Sequence, residues 1–226
     1  MTLEIRKMQS YERDLKLSGT RISEQKRWLL RLASRFRPKF LLFGAIGLML
    51  TYVIVHNESF LIQRDNPIWQ HYEPFKWWLL PHGLAGACAI LLGPMQFSDR
   101  LRRRYARLHR VVGRVYVAGA MIAAPLGAYI QYLDERLRFP RSFTIASTVN
   151  ALLLMFTTGL AFIFIRQRKV QQHRVWMTRS FAVALIFLEV RVIGGVTHWD
   201  DLGVGAIETM AWFCNAFAIL LADIVL

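Results

Sequence analysis

The chain has 226 residues, of which 54% are hydrophobic and 13% aromatic, and it carries a formal net charge of +14. This apolar content is high for a water-soluble domain and argues against one. Only two cysteines are present, Cys88 and Cys214, which excludes a disulfide framework and a cysteine-rich zinc site.

Residues 1–39 form a basic segment that precedes the first apolar run. Within it, residues 23–37 have the pattern of an amphipathic helix that lies along the inner leaflet of a membrane. Apolar side chains share one helical face, and basic side chains surround it. The apolar residues are Trp28, Leu29, Leu32 and Phe36, and the basic residues are Lys26, Arg27, Arg31 and Arg35. We treat this segment as a cytosolic N-terminal domain.

Six apolar segments follow, each with the length of a membrane-spanning helix, which needs about 20 predominantly apolar residues. They cover about residues 40–56, 77–97, 111–133, 143–165, 177–197 and 204–226. The predicted fold is all-α: a polytopic transmembrane bundle of about six helices that forms one domain, 40–226.

The distribution of basic residues predicts the orientation of these spans. Lys and Arg number 22 in residues 1–39, 98–110 and 166–179, but only five in 57–76, 134–142 and 198–204. Because cytosolic loops carry the excess of Lys and Arg, we expect both termini in the cytosol of a bacterial inner membrane. The basic blocks lie between apolar runs, so they do not predict binding to nucleic acid.

Small residues recur four apart in the second and third spans and predict that these two helices approach closely. The positions are Ala85, Ala89 and Gly93 in the second span and Gly119, Ala123 and Gly127 in the third.

Two histidines fall at the cytosolic ends of the third and fifth spans, His109 and His173. They lie in similar segments, LHRVVGRVY (108–116) and QHRVWMTRS (172–180), whose 64-residue offset raises the possibility of an internal repeat. Two imidazoles at equal depth could ligate one haem b, with arginines holding its propionates: Arg110, Arg114, Arg174 and Arg179. The same residues could instead bind anionic lipid headgroups, a quinone or another small anionic ligand.

A second group of ionisable residues is predicted nearer the outer face. His82 lies early in the second span, and Glu189, Arg191 and His198 lie in or just after the fifth. Ionisable groups inside a membrane are candidates for function, although a structural ion pair would explain Glu189 and Arg191 equally well.

The chain lacks the common sequence motifs of nucleotide hydrolysis, Rossmann cofactor binding, zinc proteases and serine hydrolases. No metal site and no catalytic residues are predicted, and the sequence leaves open whether the protein is an enzyme.

Residues 81–120 and 172–191 carry motifs that resemble those of a bacterial and fungal family of predicted membrane proteins, domain of unknown function 2306, over about residues 40–200. The shared elements are a histidine early in a helix that ends Gly-Pro-x-Gln, then His-Arg with Gly-Arg-x-Tyr, then His-Arg-x-Trp-Met-x-Arg and a later arginine. They fall on His82, Gly93, Pro94, Gln96, His109, Arg110, Gly113, Arg114, Tyr116, His173, Arg174, Trp176, Met177, Arg179 and Arg191.

This resemblance implies a multi-helix membrane domain without an assigned reaction. The histidine-bearing hairpins also resemble, more loosely, the haem membrane proteins of the b561 type. Three functions are therefore expected as alternatives: a haem-binding or quinone-linked transmembrane redox protein, a small proton-coupled transporter, and a non-enzymatic lipid-binding accessory protein.

Overall fold

A computed structural model of the chain describes residues 38–56, 70, 72–135 and 140–225. Seven α-helices lie within these residues, and two 3-10 turns, Glu73–Phe75 and Asp200–Leu202, precede the second and the last of the long helices. The helices are α1 (Pro38–His56), α2 (Lys76–Gln96), α3 (Asp99–Arg104), α4 (Ala106–Glu135), α5 (Arg141–Arg166), α6 (Val170–Thr197) and α7 (Val204–Val225). The amphipathic helix predicted at 23–37 falls outside the described residues.

Among the described residues, five helical segments are long and apolar enough to cross a membrane: Glu73–Gln96, Ala106–Glu135, Arg141–Arg166, Val170–Thr197 and Val204–Asp223. The first predicted span corresponds to a shorter apolar helix, Leu41–His56. The predicted class, an all-α polytopic membrane protein, is confirmed.

The chain divides into two compact units, residues 1–47 and 48–226, and the packing described below belongs to the second. Helices that follow one another in the sequence pack side by side: α2 with α4, α4 with α5, α5 with α6, and α6 with α7. Contacts between α2 and α6 close the first four into a ring, and α7 packs outside it against α5 and α6.

The helices of the hairpin α5–α6 have boundaries about 64 residues after those of the hairpin α2–α4, the offset of the predicted repeat. Helices α4 and α6 begin exactly 64 residues apart, at Ala106 and Val170, and the intimate pairing of α2 with α4 recurs between α5 and α6. Tyr116 and Ser180 occupy equivalent positions and hydrogen bond to each other over 2.8 Å. This bond therefore joins two positions that the 64-residue offset makes equivalent.

The close approach predicted for the second and third spans is confirmed at Gly119. A Cβ atom added there would lie 2.7 Å from the backbone oxygen of Ala85 and 3.4 Å from the backbone nitrogen of Ala89. Gly93 instead admits the ring of Phe181 from α6. Small residues thus bring α2 against both α4 and α6.

Candidate functional site

His109 and His173 occupy the same place in equivalent helices, the fourth residue of α4 and of α6. Two turns further along the same helices, Tyr116 and Ser180 hydrogen bond to each other over 2.8 Å, so α4 and α6 approach on this side. We call these two residues, His109 and His173, each in the first turn of its helix, the inner histidine pair.

The hydrogen bonds of the inner histidine pair leave ring nitrogens free. His173 Nδ1 lies 2.8 Å from the carbonyl oxygen of Ala161, and because a carbonyl only accepts, Nδ1 carries the proton and donates it. The tautomer of His173 is thereby set, with Nε2 as the unprotonated nitrogen. His109 Nδ1 is buried and has no hydrogen-bond partner within the described part of the chain.

The end of α2 supports the inner histidine pair from one side. Gln96 donates from Nε2 to the backbone oxygen of His109 over 3.4 Å. Its Oε1 lies where a side chain at Gly113 would have to go, 3.0 Å from an added Cβ atom. The Gly-Pro-x-Gln and His-Arg motifs are thus in direct contact.

The four arginines predicted around these histidines point in different directions. Arg110 and Arg114 project about 100° and 140° around α4 from His109 and line an exposed groove. Arg179 is paired with Asp223 of α7 over 2.8 Å and lies over the ring of Trp176. Arg174 is exposed. The described contacts do not gather the four around the two imidazoles.

A cluster of three buried hydroxyl groups lies two helical turns beyond the inner histidine pair. Ser180 Oγ is 2.8 Å from the hydroxyl of Tyr116 and 2.6 Å from Thr158 Oγ1. All three side chains are fully buried. The sequence pattern did not predict this cluster, although each of the three positions carries a hydroxyl group inside an apolar helix.

The residues of the predicted outer polar site make separate contacts. His82 Nδ1 bonds to the carbonyl oxygen of Ala123 over 2.9 Å, and Arg191 lies over the ring of Phe187. His198 is exposed at the end of α6 and pairs with Asp201 over 3.4 Å. Glu189 lies in α6, two residues before Arg191, and is partly buried.

Among the side chains that the structure describes, no three or more of His, Cys, Asp and Glu come together in a way that could hold a metal ion.

A family model described as "Predicted membrane protein (DUF2306)" matches residues 79–226, about two thirds of the chain. The chain belongs to this family. The motifs predicted a resemblance over about residues 40–200, whereas the match in this DUF2306 protein begins at residue 79 and ends at residue 226. It therefore includes α7 but not α1. No curated protein and no solved structure matches the chain, and the looser resemblance to b561-type proteins gains no support.

Proposed function

We propose that this DUF2306 protein binds one haem b between His109 and His173 and acts as a transmembrane redox protein. The observation that carries the proposal is that two imidazoles, at equivalent positions of a repeated hairpin, each keep a ring nitrogen without a hydrogen bond among the described residues. His109 Nδ1 is buried, and a buried polar atom without a partner costs about 1–3 kcal/mol, which a bond to haem iron would remove.

The residues around the pair have the roles expected of supports for metal ligands. Ala161 O accepts the Nδ1 proton of His173, which orients the ring and leaves Nε2 as the ligand atom. Gln96 holds the backbone of α4 at His109. Bound haem would supply reversible one-electron transfer, which the side chains described here do not provide.

The repeat supports a single haem rather than two. His82 is the histidine of α2, and its counterpart in α5, 64 residues later, is Ala146, which is fully buried. An outer pair equivalent to His109 and His173 is therefore missing its second histidine. We expect one haem per chain.

The test is a visible spectrum of the purified protein, oxidised and dithionite-reduced, after expression with a haem precursor. We expect a sharp reduced band at one haem per chain, lost in His109→Ala and in His173→Ala. His82→Ala is the matched control, because His82 also donates Nδ1 to a helix carbonyl, and it should retain the band. A featureless wild-type spectrum, or haem retained by both inner variants, would reject the proposal.

A second candidate, a proton-coupled transporter, is favoured by Glu189. This carboxyl lies inside α6 and has neither a cation partner nor a hydrogen bond within the described residues. Intramembrane carboxyls of this kind serve as proton relays in pumps and transporters. Proton flux into proteoliposomes under a solute gradient should disappear in Glu189→Gln and persist in Glu135→Gln; flux unaffected by Glu189→Gln would exclude the candidate.

A further inference from the structure

Helix α4 carries an arginine groove of about 350 Å³, lined by Arg107, Arg110, Val111 and Arg114. All three arginines are exposed, and none makes an ion pair or side-chain hydrogen bond within the described residues. Three like charges along two turns of one helix repel each other, so an anion that binds between them is stabilised by all three.

An exposed apolar stripe continues from the arginine groove along the same side of α4. Val111 is 54% exposed, Val115 39% and Ile122 50%. These residues lie within about 40° of one another around the helix, because a helix turns about 100° per residue. The buried side of α4, which includes Tyr116, Ala120 and Ala123, faces the ring of helices, so the stripe faces outward.

We infer that the arginine groove binds the phosphate of an anionic phospholipid, whose acyl chains lie along the stripe of Val111, Val115 and Ile122. Guanidinium groups bind phosphate oxygens through paired N–H donors. A soluble phosphate compound would use the groove alone, whereas a phospholipid uses both surfaces. A zwitterionic lipid carries its own compensating cation, so a net anionic headgroup gains more from three unpaired arginines.

This site is independent of the haem proposal, since the arginine groove faces away from His109. This inference assigns Arg110 and Arg114 to a lipid phosphate instead of the haem propionates considered from the sequence. The two sites can be tested separately, one by lipid binding and the other by the visible spectrum.

The experiment is native mass spectrometry of the delipidated full-length protein titrated with phosphatidylglycerol or phosphatidylcholine of the same acyl chains. We expect a saturable phosphatidylglycerol adduct that binds on the order of tenfold or more tightly than phosphatidylcholine. The triple variant Arg107→Gln, Arg110→Gln, Arg114→Gln should lose this preference. The matched control, Arg103→Gln, Arg166→Gln, Arg168→Gln, removes three exposed arginines outside the groove and should keep it.

Three results would overturn the inference. An equal loss of the phosphatidylglycerol preference in both triple variants would mean that anionic lipid is attracted by the general positive charge and not by a site. Glycerol phosphate lacks acyl chains. If it displaced phosphatidylglycerol at a similar concentration, the groove would be assigned to a soluble anion. A change of oligomeric mass confined to the groove variant would make this face an interface between two copies of the chain. Unchanged thermal unfolding of both variants is expected, because all six side chains are exposed.

Discussion

Ser180 is hydrogen bonded to both other members of the buried hydroxyl cluster. Removing its hydroxyl should therefore lower the free energy of unfolding more than removing the hydroxyl of Tyr116. Ser180→Ala removes the partner of both Tyr116 and Thr158, whereas Tyr116→Phe keeps the bond between Ser180 and Thr158. Hydrogen bonds between transmembrane helices contribute about 0.6 kcal/mol on average and up to about 1.7 kcal/mol. We expect Ser180→Ala to lower the free energy of unfolding, followed by denaturation in mixed micelles, by about 1–2 kcal/mol.

Thr209→Ala serves as the control for the hydroxyl cluster. Thr209 is exposed, and its hydroxyl donates only to the carbonyl of Gly205 in its own helix. This variant should change the free energy of unfolding by less than about 0.5 kcal/mol. A larger effect for Tyr116→Phe than for Ser180→Ala would contradict the described geometry.

Gly119 lies against the backbone of α2, so even one methyl group added there should be destabilising. The added Cβ atom in Gly119→Ala would meet the backbone of Ala85, which cannot rotate away as a side chain can. Overpacking of this kind costs about 1–3 kcal/mol, and thermal unfolding in detergent should show it as a lower midpoint. Gly159→Ala has no atom within 4 Å of the added Cβ and should be neutral or slightly stabilising; equal losses in both variants would be inconsistent with this packing.

The depth of a residue could be predicted from the sequence, but its direction could not. His109 and His173 were paired because each follows a basic loop and precedes an apolar run, and depth depends only on that order. Whether Arg110 faces His109 or the lipid depends on the rotation of α4 about its axis. That rotation is set by long-range packing at Gly113 and Gly119, which a local pattern does not reveal.

Helices are longer than the apolar runs that predicted them. Helix α4 begins at Ala106 instead of about 111, and α6 at Val170 instead of about 177. Hydropathy detects only the part of a helix that suits lipid, whereas backbone hydrogen bonds continue through the basic first turns. Helix α3 was not predicted either, although Ser98 caps it by accepting from the backbone nitrogen of Leu101 over 3.2 Å.

Asn215 is the polar link that attaches α7 to α5. Its Nδ2 donates to the carbonyl of Ala146 over 3.4 Å and to that of Ala211 over 2.9 Å, and its Oδ1 accepts from Asn150 over 3.2 Å. Asn215→Leu should remove the link and leave the Asn150 amide without its partner. We expect this substitution to accelerate hydrogen exchange in α7, relative to the wild type, more than it accelerates exchange in α4. Mass spectrometry measures both rates.

The matched control for Asn215 is Phe213→Leu, because Phe213 lies on the same helix and is 70% exposed. Its replacement should leave exchange in α7 unchanged. Equal acceleration of exchange in α4 and α7 by Asn215→Leu would indicate global destabilisation, and the specific role of this contact in docking α7 would be wrong.

Whether α1 crosses the membrane decides on which side the chain before it lies. Five long spans alone place the chain before Glu73 and the chain after α7 on opposite sides. Helix α1 has 19 residues, or about 28 Å at about 1.5 Å per residue, and its apolar part, Leu41–His56, covers about 24 Å of the roughly 30 Å hydrocarbon core. If it crosses, the 11 basic residues of segment 1–39 join the other basic loops in the cytosol.

We expect α1 to cross, because an external N-terminus would place those 11 charges against the positive-inside rule. In a Cys88→Ala, Cys214→Ala background, single cysteines can be labelled with a membrane-impermeant maleimide in intact spheroplasts and after lysis. Asp201→Cys, in the exposed turn before α7, should react in intact cells. Arg168→Cys and Ser18→Cys should react only after lysis. If Ser18→Cys instead reacts as fast as Asp201→Cys in intact spheroplasts, α1 does not span the membrane and the protein has five crossings.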